Sequence, residues 1–172
     1  MAVVIASKGF VFEVSTAVQP VQDVEISQNQ SSVQLMPTFD ADTTEINAFK
    51  VKDADLYIFS QYFDQEEVFD ELREWYDSEQ YRFEVPADEI DRIESFLDEN
   101  FYDLNRVPPD AIEPFCVVKE KYTDHADILR NSVYHTSRGR NTIFVMQDEL
   151  SAERALEQGA TRLADSDIDF QL

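Results

Sequence analysis

Glycine is nearly absent: Gly9, Gly139 and Gly159 are the only three in 172 residues. Neither a P-loop nor a dinucleotide-binding turn can be written with so few, because both need glycines at fixed offsets where backbone wraps phosphate. The single cysteine, Cys116, excludes an internal disulfide. Its setting in the apolar run FCVV is that of a buried structural thiol, with no base-like neighbour to make it a nucleophile. The two histidines, His125 and His135, fall on an expected helix and an expected strand, and there is no CxxC or HExxH pattern. A metal site at His125, Asp127 and His135 would therefore need tertiary coincidence. No apolar run approaches the ~20 residues of a membrane helix, and the opening MAVVIASKGF turns polar too early for a signal peptide. A soluble protein of the cytoplasm or of a virion is expected, with no membrane partner.

Lysine is also scarce, five against nine arginines, while nineteen Asp and seventeen Glu bring the net charge to −22. Such a balance resembles that of proteins adapted to molar salt. At about 1 M salt the Debye length is ~3 Å and crowded carboxylates barely repel, whereas at 0.15 M it is ~8 Å and they do. The charge is lopsided, however. Between Asp53 and Asp103 eighteen carboxylates face only Arg73, Arg82 and Arg92, giving 3 − 18 = −15, and the other 121 residues hold −7. Solvent adaptation alone should spread charge evenly, so the concentration also points to partners.

Thirteen Phe, seven Tyr and an apolar fraction of 43% supply enough to build a core. Residues 1–59 read as β-rich, with strands expected at Val3–Ile5, Gly9–Val14, Val33–Leu35, Ile46–Val51 and Leu56–Phe59. A polar linker at Gln28–Ser32 contains a formal glycosylation sequon. From Asp64 the period changes. Val68, Phe69, Leu72, Trp75 and Tyr76 form a helical stripe with Asp64 placed to cap it. Tyr81–Val85 alternates as a strand. Pro86 is then expected to open a second helix with Ile90, Ile93, Phe96 and Leu97 inward. After Pro108-Pro109, the pattern predicts a strand at Phe115–Val118, a short helix at Asp124–Arg130, and a hairpin of Ser132–Thr136 with Thr142–Met146. Ser151 is placed to cap a final helix that Gly159 ends. The fold class is thus α+β: a β-rich N-terminal segment (1–59), read as a docking region, precedes an α+β domain (60–172) with two acidic amphipathic helices, a hairpin and a helix.

The two acidic helices turn Asp64, Glu66, Glu67, Asp70, Glu71, Glu74, Asp77, Asp88, Glu89, Asp91, Glu94, Asp98 and Glu99 mainly outward. Glu66 with Asp70, Glu67 with Glu71, and Asp70 with Glu74 are like-charged i, i+4 pairs, each costing a few tenths of a kcal/mol in ordinary buffer. Within that helix only Arg73 offsets them. Arg138 and Arg140, with Arg130 expected nearby, make a basic hairpin tip. At the C-terminus Asp165, Asp167 and Asp169 have the 1, 3, 5 spacing of a calcium loop, but Phe170 stands where glycine is required, leaving at most weak cation binding. The PPD at Pro108–Asp110 with KEK at Lys119–Lys121 lacks the acid that a metal-dependent nuclease places two residues before its lysine, those positions being Val117 and Lys119.

Thirty-six acids make any general acid–base spacing uninformative, because a catalytic acid is singled out by burial and a shifted pKa. The expected function is accordingly non-enzymatic and cofactor-free. The chain reads as a structural or adaptor subunit of a larger assembly from a high-salt organism, meeting other protein subunits or further copies of itself. The alternative is mimicry of a polyanion, since carboxylates on successive helix turns lie ~5–6 Å apart, much as phosphates do. In charge alone the chain resembles small acidic inhibitors of restriction enzymes or CRISPR complexes, whose partner is a basic nucleic-acid-binding protein rather than nucleic acid itself. A metal-dependent enzyme is the third reading.

Overall fold

Strand β1 (Thr44–Lys50) sends Ile46 and Ala48 to one side and Phe49 to the other, and all three are buried. A strand apolar on both faces belongs inside a layered structure. The structure, a computed structural model, describes residues 43–172; the strands expected at Val3–Ile5, Gly9–Val14 and Val33–Leu35, and the sequon, lie outside them.

Around β1 a five-stranded sheet forms in the order β3-β4-β2-β1-β5. β2 (Leu56–Phe59) and β4 (Arg82–Pro86) add antiparallel strands, and β3 (Tyr76–Asp77) pairs Tyr76 with Phe83 at one edge. On the other side β5 (Tyr102–Val107) runs parallel to β1, Thr44 opposite Tyr102. Helices α1 (Glu66–Leu72) and α2 (Ile90–Glu99) lie on one face, where Val68, Leu72, Ile90, Ile93 and Leu97 meet Ile46, Ala48, Phe59, Phe83 and Leu104. Each such side chain contributes about 1.5–3 kcal/mol by leaving water. Phe83 is the centre of an aromatic cluster, its ring stacked on Phe59 at 4.9 Å and edged by Phe63 and Phe69.

The opposite face carries Phe49, Ile58 and Val107 into a second core with Cys116, Val118, Val133, Ile143 and Val145. Those residues belong to a four-stranded sheet, β7-β8-β6-β9, made of β6 (Cys116–Glu120), β7 (Ser132–Arg138), β8 (Asn141–Met146) and β9 (Thr161–Arg162). Its far face holds Val117, Phe144 and Met146 under Ile128 of α3 (Ala126–Arg130) and Ala152 and Ala155 of α4 (Glu149–Glu157). The layers therefore run helices, sheet, sheet, helices. The fold is α+β, with both acidic helices, the hairpin and the last helix at their expected places. Among the described residues no helix is long and apolar enough to cross a membrane.

Several local expectations are corrected. Helix α1 begins at Glu66 behind an extended Gln65 with no side-chain cap, so Asp64 does not cap it. Tyr76 leaves the helical stripe because a 3-10 turn at Arg73–Trp75 redirects the chain into β3, where its ring meets Phe83 at 5.1 Å. Pro86 closes β4 rather than opening α2; it pairs with Leu56 at the strand end, where a missing N–H is tolerated. Asp148, not Ser151, caps α4, its Oδ1 accepting from the Ser151 N–H at 2.6 Å, and Ser151 itself is buried one turn in. Gly159 does end that helix, with φ +84°. Its N–H reaches Leu156 O at 2.9 Å and the next N–H, of Ala160, reaches Ala155 O at 3.0 Å, the paired bonds of a Schellman motif. Strand β5 was not expected at all.

Candidate interaction surfaces

Because the apolar residues of α1 and α2 point to the sheet, their acids point out. Asp64, Glu66, Glu67, Asp70, Glu71, Glu74, Asp88, Asp91, Asp98 and Glu99 are exposed, and Asp77, Glu89 and Glu94 are half-buried. Over residues 64–75 and 88–99, the two helices with their flanks, the balance is two arginines against twelve acids, 2 − 12 = −10 in 24 residues. The helical layer on the other side, residues 124–131 and 148–159, has two arginines against six acids, 2 − 6 = −4. The asymmetry is thus one of layers as well as of sequence.

Within the acidic layer the arginines are focused, and Arg73 is not alone in offsetting the charge. Arg73 lies 3.8 Å from Asp70. Arg92, on α2, reaches Glu89 at 3.0 Å and crosses to Glu71 at 3.5 Å and Glu74 at 3.6 Å, tying α2 to α1. Arg106 comes up from β5 to Asp91 at 2.6 Å and to Glu94, and the hydrogen bond it donates to Asp91 is the main cause of its raised pKa. The Asp77 carboxylate accepts from the backbone N–H groups of Glu79 (2.8 Å) and Gln80 (3.2 Å), so it shapes the β3–β4 turn. Asp64, Glu66, Glu67, Asp88, Asp98 and Glu99 make no ion pair among the described residues.

The hairpin tip is tighter than the expected loop: Arg138 pairs with Asn141, leaving only Gly139 and Arg140 to turn. Gly139 has φ +59° at the first of these, where a II′ loop places glycine. Arg138 and Arg140 are exposed there, and the Arg140 carbonyl accepts from the Lys121 N–H at 2.8 Å, so Lys121 approaches the same tip. Arg130 does not. It precedes β7, whose six residue steps from Ser132 to Arg138 alone span roughly 20 Å at ~3.3 Å per residue.

Arg130 instead lines a cleft of ≈ 500 Å³, with Tyr81 and Glu79 of the β3–β4 turn, Leu129 of α3, and Val133 and His135 of β7. No element-by-element reading of the sequence brings these segments together, since the cleft spans an edge of each sheet. Arg82 links the two edges, donating to Val133 O at 3.4 Å with its guanidinium 5.6 Å from the Tyr134 ring centre. Its carboxylate partner is Glu84 at 2.5 Å.

The other candidates are placed as follows. His125 and His135 both lie against the Phe144 ring, at 5.5 and 6.2 Å, and His125 Nδ1 is 2.7 Å from Thr123 O. Burial lowers the His135 pKa, with Arg82 and then His125 adding repulsion. Among the described residues no three His, Cys, Asp or Glu side chains are grouped to hold a metal ion. Asp165, Asp167 and Asp169 are exposed while Phe170 and Leu172 are buried in the inter-sheet core. Cys116 is buried too, and that burial, with Glu113 nearby, pushes its pKa up to about 12.

No protein-family model, curated protein or solved structure matches the chain.

Proposed function

We propose that the chain is a non-enzymatic interaction protein, a structural or adaptor subunit that works in concentrated salt and docks a cationic partner through its α1–α2 layer. The observation that carries this reading is the layer asymmetry, −10 in 24 residues against −4 in 20, with six outward carboxylates that no internal arginine engages. Local helix stability disfavours such crowding, and molar salt or a cationic counterpart relieves it.

The test is charge reversal where no internal bridge is lost. Glu66→Lys, Glu67→Lys and Glu99→Lys, combined in the full chain, should lower stability by no more than about 1–2 kcal/mol, since Glu66 and Glu67 sit in the first turn of α1, leave the chain folded, and abolish co-elution with a larger particle or with a basic model protein. Unaltered co-elution of the triple variant overturns the reading.

Mimicry of a polyanion is a second reading, favoured by the succession of exposed acids along α1, Glu67, Asp70, Glu71 and Glu74. It differs in two outcomes: the chain stays folded in dilute buffer, and DNA competes for the same basic protein.

A further inference from the structure

The cleft between the sheets has the size of a small-molecule site and a lining unlike the rest of the surface. At ≈ 500 Å³ it falls within the ~300–1,000 Å³ typical of ligand pockets, which combine apolar walls with a few polar groups. Its apolar walls are Tyr81, Leu129 and Val133. Tyr81 is 73% exposed and Leu129 is 41% exposed, among the few large apolar side chains left to solvent. Tyr81 also holds φ +55°, a conformation that costs a bulky residue roughly 1–2 kcal/mol. Ser60 Oγ donates to its carbonyl at 3.3 Å, fixing the turn that presents the ring.

The polar groups define what fits. In a chain of charge −22, the cleft offers a cation, Arg130, that forms no ion pair among the described residues. Gln80 and His135 add hydrogen-bonding groups to the same lining. Arg82, close by, is already held by Glu84, so a second free positive charge is missing. Glu79 lies in the same lining and disfavours a doubly charged anion. A single planar carboxylate matches the guanidinium fork and leaves the apolar walls for the body of the ligand.

The geometry points to this cleft as a binding site for a small organic monocarboxylate with an aromatic or aliphatic body, seated on Arg130 and against Tyr81 and Leu129. It stands apart from the unpaired carboxylates of α1 and α2, none of which lines it.

Indole-3-propionate, its neutral amide and inorganic phosphate serve as probes in amide NMR titrations of the full chain in about 0.15 M salt. The expected result is saturable shifts confined to Tyr81, Leu129, Val133 and His135, with the amide binding at least tenfold more weakly, as loss of a charge-assisted hydrogen bond of about 1.5–3 kcal/mol requires. Arg130→Gln should erase the difference between acid and amide. Tyr81→Gly relieves the backbone and removes the ring, so it should bind more weakly while melting no lower than the parent. Equal affinity for acid and amide, shifts scattered over the surface, tighter binding of phosphate, or an Arg130→Gln protein that still prefers the acid would each overturn the assignment.

Discussion

Arg92 holds its guanidinium 5.0 Å from the centre of the Trp75 ring while reaching the carboxylates of Glu71, Glu74 and Glu89. One cation thus serves an aromatic face and three acids from two helical segments. A region read from its composition as pure repulsion therefore has an internal clasp, and the carboxylates without an ion pair among the described residues sit elsewhere, on Asp64, Glu66, Glu67, Asp88, Asp98 and Glu99.

Arg92→Ala removes that clasp and leaves three acids facing one another. The side chain is 53% exposed, so screening by water limits the effect to about 1 kcal/mol at low ionic strength. Trp75 is the only tryptophan, and urea unfolding followed by its fluorescence reads the loss directly. The difference from the parent should shrink as salt approaches molar.

Phe83 lies within 4.9–6.2 Å, ring to ring, of Phe59, Phe63, Phe69 and Tyr76. Phe83→Ala should cost about 3–5 kcal/mol by the same unfolding measurement, since four neighbours cannot all collapse into the space. A loss below about 1 kcal/mol would place the packing centre of the first sheet elsewhere.

Gly159→Ala meets no steric obstacle, because nothing lies within 4 Å of an added Cβ. The cost is backbone conformation alone, at φ +84°, and should be about 1–2 kcal/mol. Asp148→Ala, at the other end of α4, should cost about 1 kcal/mol by freeing the Ser151 N–H. The two losses should add, as the sites share no partner.

Titration gives opposite slopes at the two ends of the pH range. His135 has a lowered folded pKa, so below its ordinary value of 6.5 the unfolded chain takes up protons more readily and stability falls as pH falls; His135→Asn should flatten that slope. Cys116 is raised from 9.0 to about 12, so stability is unaffected below pH 9 and declines as pH rises through that interval; Cys116→Ala should abolish the decline. At pH 8 the native thiol should resist alkylation until the chain is unfolded.

Periodicity made much of this architecture legible in the sequence. Leu56–Phe59, the inward stripe Ile90, Ile93 and Leu97, the hairpin and the glycine stop at Gly159 all announce themselves through local spacing. Strand β5 was hidden because Asp103, Asn105 and Arg106 gave it the look of the surrounding acidic run, although Tyr102 and Leu104 alternate inward. Tyr76 misled because its apolar ring fits a helical stripe and a strand pair equally well. The outward set of carboxylates followed from composition plus helical period. The cleft did not, because Tyr81, Leu129 and His135 come from three separate elements and meet only through the packing of one sheet on the other.

The parallel pairing of β1 with β5 joins residues 58 positions apart. A chain cut at Glu99 lacks the strand that pairs with this edge of β1 in the complete fold. A fragment ending there should be prone to coalesce with its own kind through that edge. The chain must run through Val107 before that edge can be paired, and even then Phe49, Ile58 and Val107 await the second sheet that follows in sequence.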